Sequence, residues 1–99
     1  MNNSVELDED IDILDEVSIE DETKFNSILI LHNDDVNSFD WVIQSIMDIC
    51  EFPLEQAEQI TTMIHYKGRA KTKEGTFEKL LPMKRAFNDR GIEATIEEK

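Results

Sequence analysis

The sequence predicts an α+β fold: a small β-α-α-β-α-β layer with helices on one face of a three-stranded sheet, preceded by a disordered acidic N-terminal arm. Three observations lead there. Charge is split unevenly along the chain, apolar residues switch between alternating and helical spacing, and turn or cap residues fall at each switch. The length of 99 residues suits one domain, and 39% hydrophobic residues supply one small core and no more.

The arm comes first. Met1 to Thr23 holds ten carboxylates and no Lys or Arg, whereas Lys24 to Lys99 holds thirteen acids and ten bases. The two segments therefore carry −10 and −3 of the net −13. Val5, Leu7, Ile11, Ile13, Leu14, Val17 and Ile19 are scattered among the charges. Self-repulsion and little buriable surface argue for disorder over 1–23, ahead of a core domain at 24–99. Two roles fit such an arm: a solubilising tail, or a segment whose apolar residues a partner reads in extended form.

The core elements follow in order. Phe25 to His32 is short, aliphatic and bounded by turn residues, hence a strand. Asn33-Asp34-Asp35-Val36-Asn37-Ser38 is rich in side chains that bond their own backbone, hence a loop ending in a helix cap at Asn37 or Ser38. Phe39, Val42, Ile43, Ile46, Met47 and Cys50 follow helical spacing, and Asp40 suits the first turn. Pro53 stands near the start of a second helix, whose stripe is Ala57, Ile60, Thr61 and Ile64 and which runs to Tyr66. Gly68 fits a left-handed cap, Arg69 to Lys73 a strand, and Glu74-Gly75 a turn. Thr76 can cap a third helix carrying Leu80, Leu81, Met83 and Phe87 and stopped by Gly91. Pro82 predicts that this helix starts late or kinks. Ile92 to Glu97 alternates as the last strand.

Composition excludes several functions. A single cysteine, Cys50, allows neither an internal disulfide framework nor a multi-cysteine zinc site, and it suits a reducing compartment. No apolar run approaches the ~20 residues of a membrane span, and the first residues are acidic and polar, unlike a secretory or transit segment. A cytoplasmic protein is expected. The net charge of −13 argues against binding a phosphate backbone and favours a monomer.

Candidates for chemistry are few. Asp34 and Asp35 are adjacent, an arrangement better suited to capping a loop than to paired acid–base work. The loop lacks the glycine and the distal glutamate of a calcium loop. His32, His65 and Asp34 are isolated ligands at spacings that do not define a metal site. Cys50 falls on the apolar stripe of a helix, as a small core residue. Lys67, Arg69, Lys71 and Lys73 form the one basic cluster, either a solvated strand face or a dock for an acidic surface. No Gly-rich phosphate loop and no nucleophile–base pair appear, so no catalytic residue, metal or cofactor is assigned.

One combination is more specific: Leu31-His32-Asn33-Asp34-Asp35, a hydrophobic helix, then Ile64-His65-Tyr66-Lys67-Gly68. It resembles the ClpS family, adaptors that deliver N-degron substrates to an Hsp100 unfoldase of the ClpA or ClpC type for degradation by the Clp protease. The resemblance spans roughly Phe25 to Glu97 and rests on two motifs about thirty residues apart. It implies that the acidic arm engages the unfoldase.

By that resemblance, Asn33, Asp34 and His65 bind the substrate's α-amino group. The chemistry is coherent. A free α-amino group, with a pKa of about 7.7–8.0, is an ammonium with three donors at neutral pH. It needs converging acceptors, and charge-assisted bonds are the stronger kind. Acetylating it removes both charge and donors. Protonating His65 would set a second cation beside it, so affinity should fall in acid. The resemblance assigns an adjoining hydrophobic pocket to Phe39, Val42, Ile43, Thr61, Ile64 and Ile92, suited to a first residue Leu, Phe, Tyr or Trp. Phe39 stands where the family commonly has methionine, and Thr61 where it often has a larger apolar residue. The segment after Gly68 is short and lacks the family's Ala-Glu-x-Lys stretch, which leaves Lys67, Arg69, Lys71 and Lys73 as the candidate unfoldase-docking face. At the loop–helix rim, Asp34→Ala and His65→Ala should weaken binding and change stability little. The alternative is a non-catalytic interaction module like that of the ribosomal stalk, which gives Asn33, Asp34 and His65 no task.

Overall fold

The computed structural model describes residues 26–99, so the arm at 1–23 and the expected strand residue Phe25 lie outside it. The elements are β1 (Ser27–His32), α1 (Phe39–Cys50), α2 (Leu54–Lys67), β2 (Arg69–Gly75), α3 (Phe77–Asp89) and β3 (Ala94–Glu98). The aliphatic strand β1 takes the centre of the sheet, in the order β2-β1-β3, and both neighbours run antiparallel to it. This is the expected β-α-α-β-α-β layer.

Side chains alternate across β1. Leu29 and Leu31 join the core with Ala70 of β2 and Ala94 of β3, and the helices supply Ile43, Ile46, Cys50, Ala57, Ile60, Ile64, Leu80 and Phe87. Leu29, Leu31, Ile46 and Phe87 are wholly buried. Ile30 lies on the other face between its cross-strand partners Lys71 and Thr95 and is still only 5% exposed.

The ends of the elements depart from the sequence reading at three places. First, β2 continues through Glu74 and Gly75, which pair with Ile28 and Ser27 where a turn was expected. A register shift between Leu29 and Ile30 lets their partners jump from Lys73 to Lys71, so Thr72 is an extra bulge residue. Second, α3 starts at Phe77 and runs through Pro82 without a late start. Thr76 Oγ1 accepts from the Lys79 N–H at 3.0 Å, and burial of Leu80 and Phe87 outweighs the lost proline N–H. Third, β3 begins at Ala94, two residues after Ile92. Gly91, at φ 84°, closes α3 in a Schellman motif: its N–H donates to the Asn88 carbonyl and that of Ile92 to the Phe87 carbonyl, both at 3.0 Å. Ile92 is thereby folded into the core, 2% exposed.

Candidate functional site

The loop between β1 and α1 is built by its own side chains. Asp34 Oδ1 accepts from the backbone N–H groups of Val36 and Asn37, each at 2.9 Å. Its Oδ2 accepts from the Asn37 amide at 2.8 Å. Of the two cap candidates, Ser38 is the one used: Oγ accepts from the Trp41 N–H at 3.0 Å. At the other side of the site, α2 ends at Gly68, in the left-handed region at φ 87°. The Gly68 carbonyl accepts the Asn33 N–H at 2.9 Å, which stitches the start of the loop to the end of α2. His65 is in the last turn of α2, so this bond brings it beside Asn33 and Asp34.

A cavity of about 310 Å³ opens between these elements, near the low end of the ~300–1,000 Å³ typical of small-ligand pockets. Asn33, Asp34 and His65 all line it, with Phe39 and Val42 of α1 and Thr61 and Ile64 of α2. Ile43 and Ile92 do not. Both are core residues, 9% and 2% exposed. Asp35, Asn37 and Ser38 also line the cavity, although the sequence reading gave them to the loop and its cap and not to the pocket. Their signal was the run of self-bonding loop residues, read only as a cap.

The acceptors differ in how far they are engaged. Among the described residues, neither the Asn33 amide nor the His65 ring has a hydrogen-bond partner. The Asn37 N–H, then the Asn37 amide and the Val36 N–H, hold the Asp34 carboxyl below its ordinary range against the opposing effect of burial. It is a carboxylate at neutral pH. The His65 ring meets Phe39 edge-on, with centroids 6.4 Å apart and planes at 83°, and meets Tyr66 similarly at 5.4 Å and 78°. Thr61 Oγ1 donates to the Ala57 carbonyl at 2.8 Å. Its proton is used within its own helix, so this wall is less polar than the residue type suggests.

The basic cluster is not one free surface. Arg69 pairs with Glu97 at 2.6 Å and Lys71 with Glu74 at 2.7 Å, both on the open side of the sheet. The Lys73 ammonium lies 5.2 Å from the centroid of Phe52, which packs on the core side. Lys67 closes α2. His32 bonds Thr95 Oγ1 at 2.8 Å. No group of three or more His, Cys, Asp or Glu among the described residues is placed to hold a metal ion.

Fold and site together define a small α+β domain whose described residues form an acceptor-lined, apolar-walled cavity. The family model described as "ATP-dependent Clp protease adaptor protein ClpS" matches residues 23–95, and the chain belongs to the ClpS family. The ATP-dependent Clp protease adapter protein ClpS of Oleidesulfovibrio alaskensis is 38% identical over 60 residues. That match spans 61% of this chain and 56% of the relative, little more than half its length. The structure of Agrobacterium tumefaciens ClpS2 bound to L-phenylalaninamide superposes with a TM-score of 0.71. It covers 77% of this chain and 99% of the other at 15% identity, a likeness of fold.

Proposed function

We propose that this protein is a non-enzymatic adaptor that binds substrates through a free N-terminal amine and a large apolar first side chain, Leu, Phe, Tyr or Trp. One observation carries the reading: Asn33, Asp34 and His65 line the same cavity as Phe39, Val42, Thr61 and Ile64. Asp34 supplies the counter-charge to the ammonium. Asn33 and His65 supply acceptors that no described residue occupies. The apolar wall takes the first side chain. The similar fold bound to L-phenylalaninamide supports this, since that ligand carries a free amine beside an aromatic side chain.

Family membership supports the second half of the proposal: delivery of the bound substrate to a ClpA- or ClpC-type unfoldase and the Clp protease. The core at 24–99 reads the substrate as a monomer, and the acidic segment at 1–23 engages the unfoldase. Lys67 is the strongest candidate for a docking contact from the basic cluster, since Arg69, Lys71 and Lys73 have partners within the domain.

The test is an anisotropy titration with four labelled peptides, identical except that they begin with Leu, Phe, acetyl-Leu or Ala. Saturable binding of the free Leu and Phe peptides alone is expected. Equal binding of the acetylated peptide would remove the amine site, and no binding to any would remove the pocket.

A further inference from the structure

Asn37 lines the cavity but has none of the tasks assigned above. Its amide nitrogen carries two hydrogens, and both are used. One goes to Asp34 Oδ2 at 2.8 Å and the other to the Gly91 carbonyl at 2.7 Å. Its backbone N–H goes to Asp34 Oδ1 at 2.9 Å. One residue thus grips both oxygens of one carboxylate and anchors them to the turn between α3 and β3.

We infer that Asn37 is the positioning residue of the amine site, fixing the rotation of the Asp34 carboxylate against the Gly91 carbonyl. The inference rests on the amine-pocket reading. Rotation of an aspartate carboxylate about its last bond is soft, with broad minima. The carboxylate turns as one rigid plane, and the Val36 and Asn37 N–H groups restrain it at Oδ1 alone. The Asn37 amide adds a restraint at Oδ2, on the far side of the plane, and narrows that rotation. As a neutral donor it does so without cancelling the charge that an ammonium needs, which a lysine or arginine here would do. Each carboxylate oxygen can accept about two bonds, so Oδ2 keeps a place for the ligand. The Gly91 carbonyl, just past the end of α3, sets the orientation of the amide: a side-chain oxygen facing it and Asp34 would be repelled.

A second tether reaches the same turn. Trp41 Nε1 donates to the Arg90 carbonyl at 3.1 Å and does not bond Asp34. It separates anchoring of the turn from orientation of the carboxylate.

The experiment uses the full chain and a fluorescein-labelled peptide beginning with Leu. Asn37→Ala is expected to weaken binding about tenfold, the scale of one hydrogen bond to a charged group. Asn37→Ser keeps one short donor and should fall between; it also covers loss of folding by the alanine variant. In an Asp34→Ala background, Asn37→Ala should add no further loss, the mark of a residue acting through another. Trp41→Phe should bind as the parent does. Without peptide, a carbon-13 titration of the Asp34 carboxyl should move to higher pH in Asn37→Ala. Unchanged affinity in Asn37→Ala, an equal loss in the Asp34→Ala background, or an equal loss in Trp41→Phe overturns the inference. If the parent binds no peptide, the amine-pocket reading fails by itself. The Asp34 titration then still decides the positioning role, which an unmoved midpoint overturns.

Discussion

The Asp34 carboxylate holds three donors of its own loop, so removing it disturbs the loop as well as the counter-charge for a ligand. Asp34→Ala should therefore cost peptide binding about 1.5–3 kcal/mol and also lower folding stability by about 1 kcal/mol. The small stability change expected from a rim position is revised for this residue. His65→Ala should show the same loss of binding with stability within about 0.5 kcal/mol, since no hydrogen bond among the described residues is lost. Thermal denaturation beside the peptide titration separates the two. The sign of the pH effect follows from the depressed Asp34 carboxyl. Its contribution is present above the ordinary value of 3.8 and is lost as pH falls through the lower folded value. Asp34→Asn should therefore lose less stability than the parent over that acid range. Cys50 behaves oppositely. Burial pushes its thiol up to about 11, with Lys73 pulling weakly the other way. Against an ordinary 9.0, that leaves about a hundredfold less thiolate at mildly alkaline pH. Iodoacetamide should label the native chain far more slowly than the chain in denaturant; equal rates would mean that α1 frays at its end.

At the scale of elements, the end of α1 stores strain. Glu51 is left-handed at φ 59°, the one non-glycine with positive φ among the described residues. The conformation costs an L-residue about 1–2 kcal/mol, and glycine adopts it freely at some cost in chain entropy. Glu51→Gly should raise stability by about 0.5–1 kcal/mol in a urea titration, with peptide affinity unchanged; a destabilised variant would show that the Glu51 side chain has a partner. The helices and the central strand were legible because Ser38, Thr76, Gly68 and Gly91 punctuate clear apolar periods. What was illegible depends on contacts distant in sequence. Nothing local marks Thr72 as a bulge, because the extra residue exists only relative to β1. Ile92 alternates with Ala94 and Ile96 like a strand residue, and only the Schellman closure on Phe87 turns it into the core. The same holds in the site. Asn33, Asp34 and His65 could be proposed from their motifs, but Asn37 could not, because one of its two amide bonds is to Gly91.

For the whole molecule, charge separates two segments. Ten of the twenty-three acids lie in Met1–Thr23, whereas in the described domain some cations pair with acids, as in Arg69–Glu97 and Arg90–Asp48. No helix among the described residues is long and apolar enough to cross a membrane. Deleting 1–23 should leave peptide affinity unchanged and abolish unfoldase-dependent degradation of a Leu-initiated reporter. Loss of peptide binding in the truncated chain would place part of the pocket in that segment. The single bond from the Asn33 N–H to the Gly68 carbonyl has a kinetic consequence. It couples the two walls of the cavity, so on the proposed reading capture should need no loop to close and little ordering to be met from binding energy. Association should then be a single second-order step whose rate rises linearly with peptide concentration. Differences among first residues should appear almost entirely in how long each one stays.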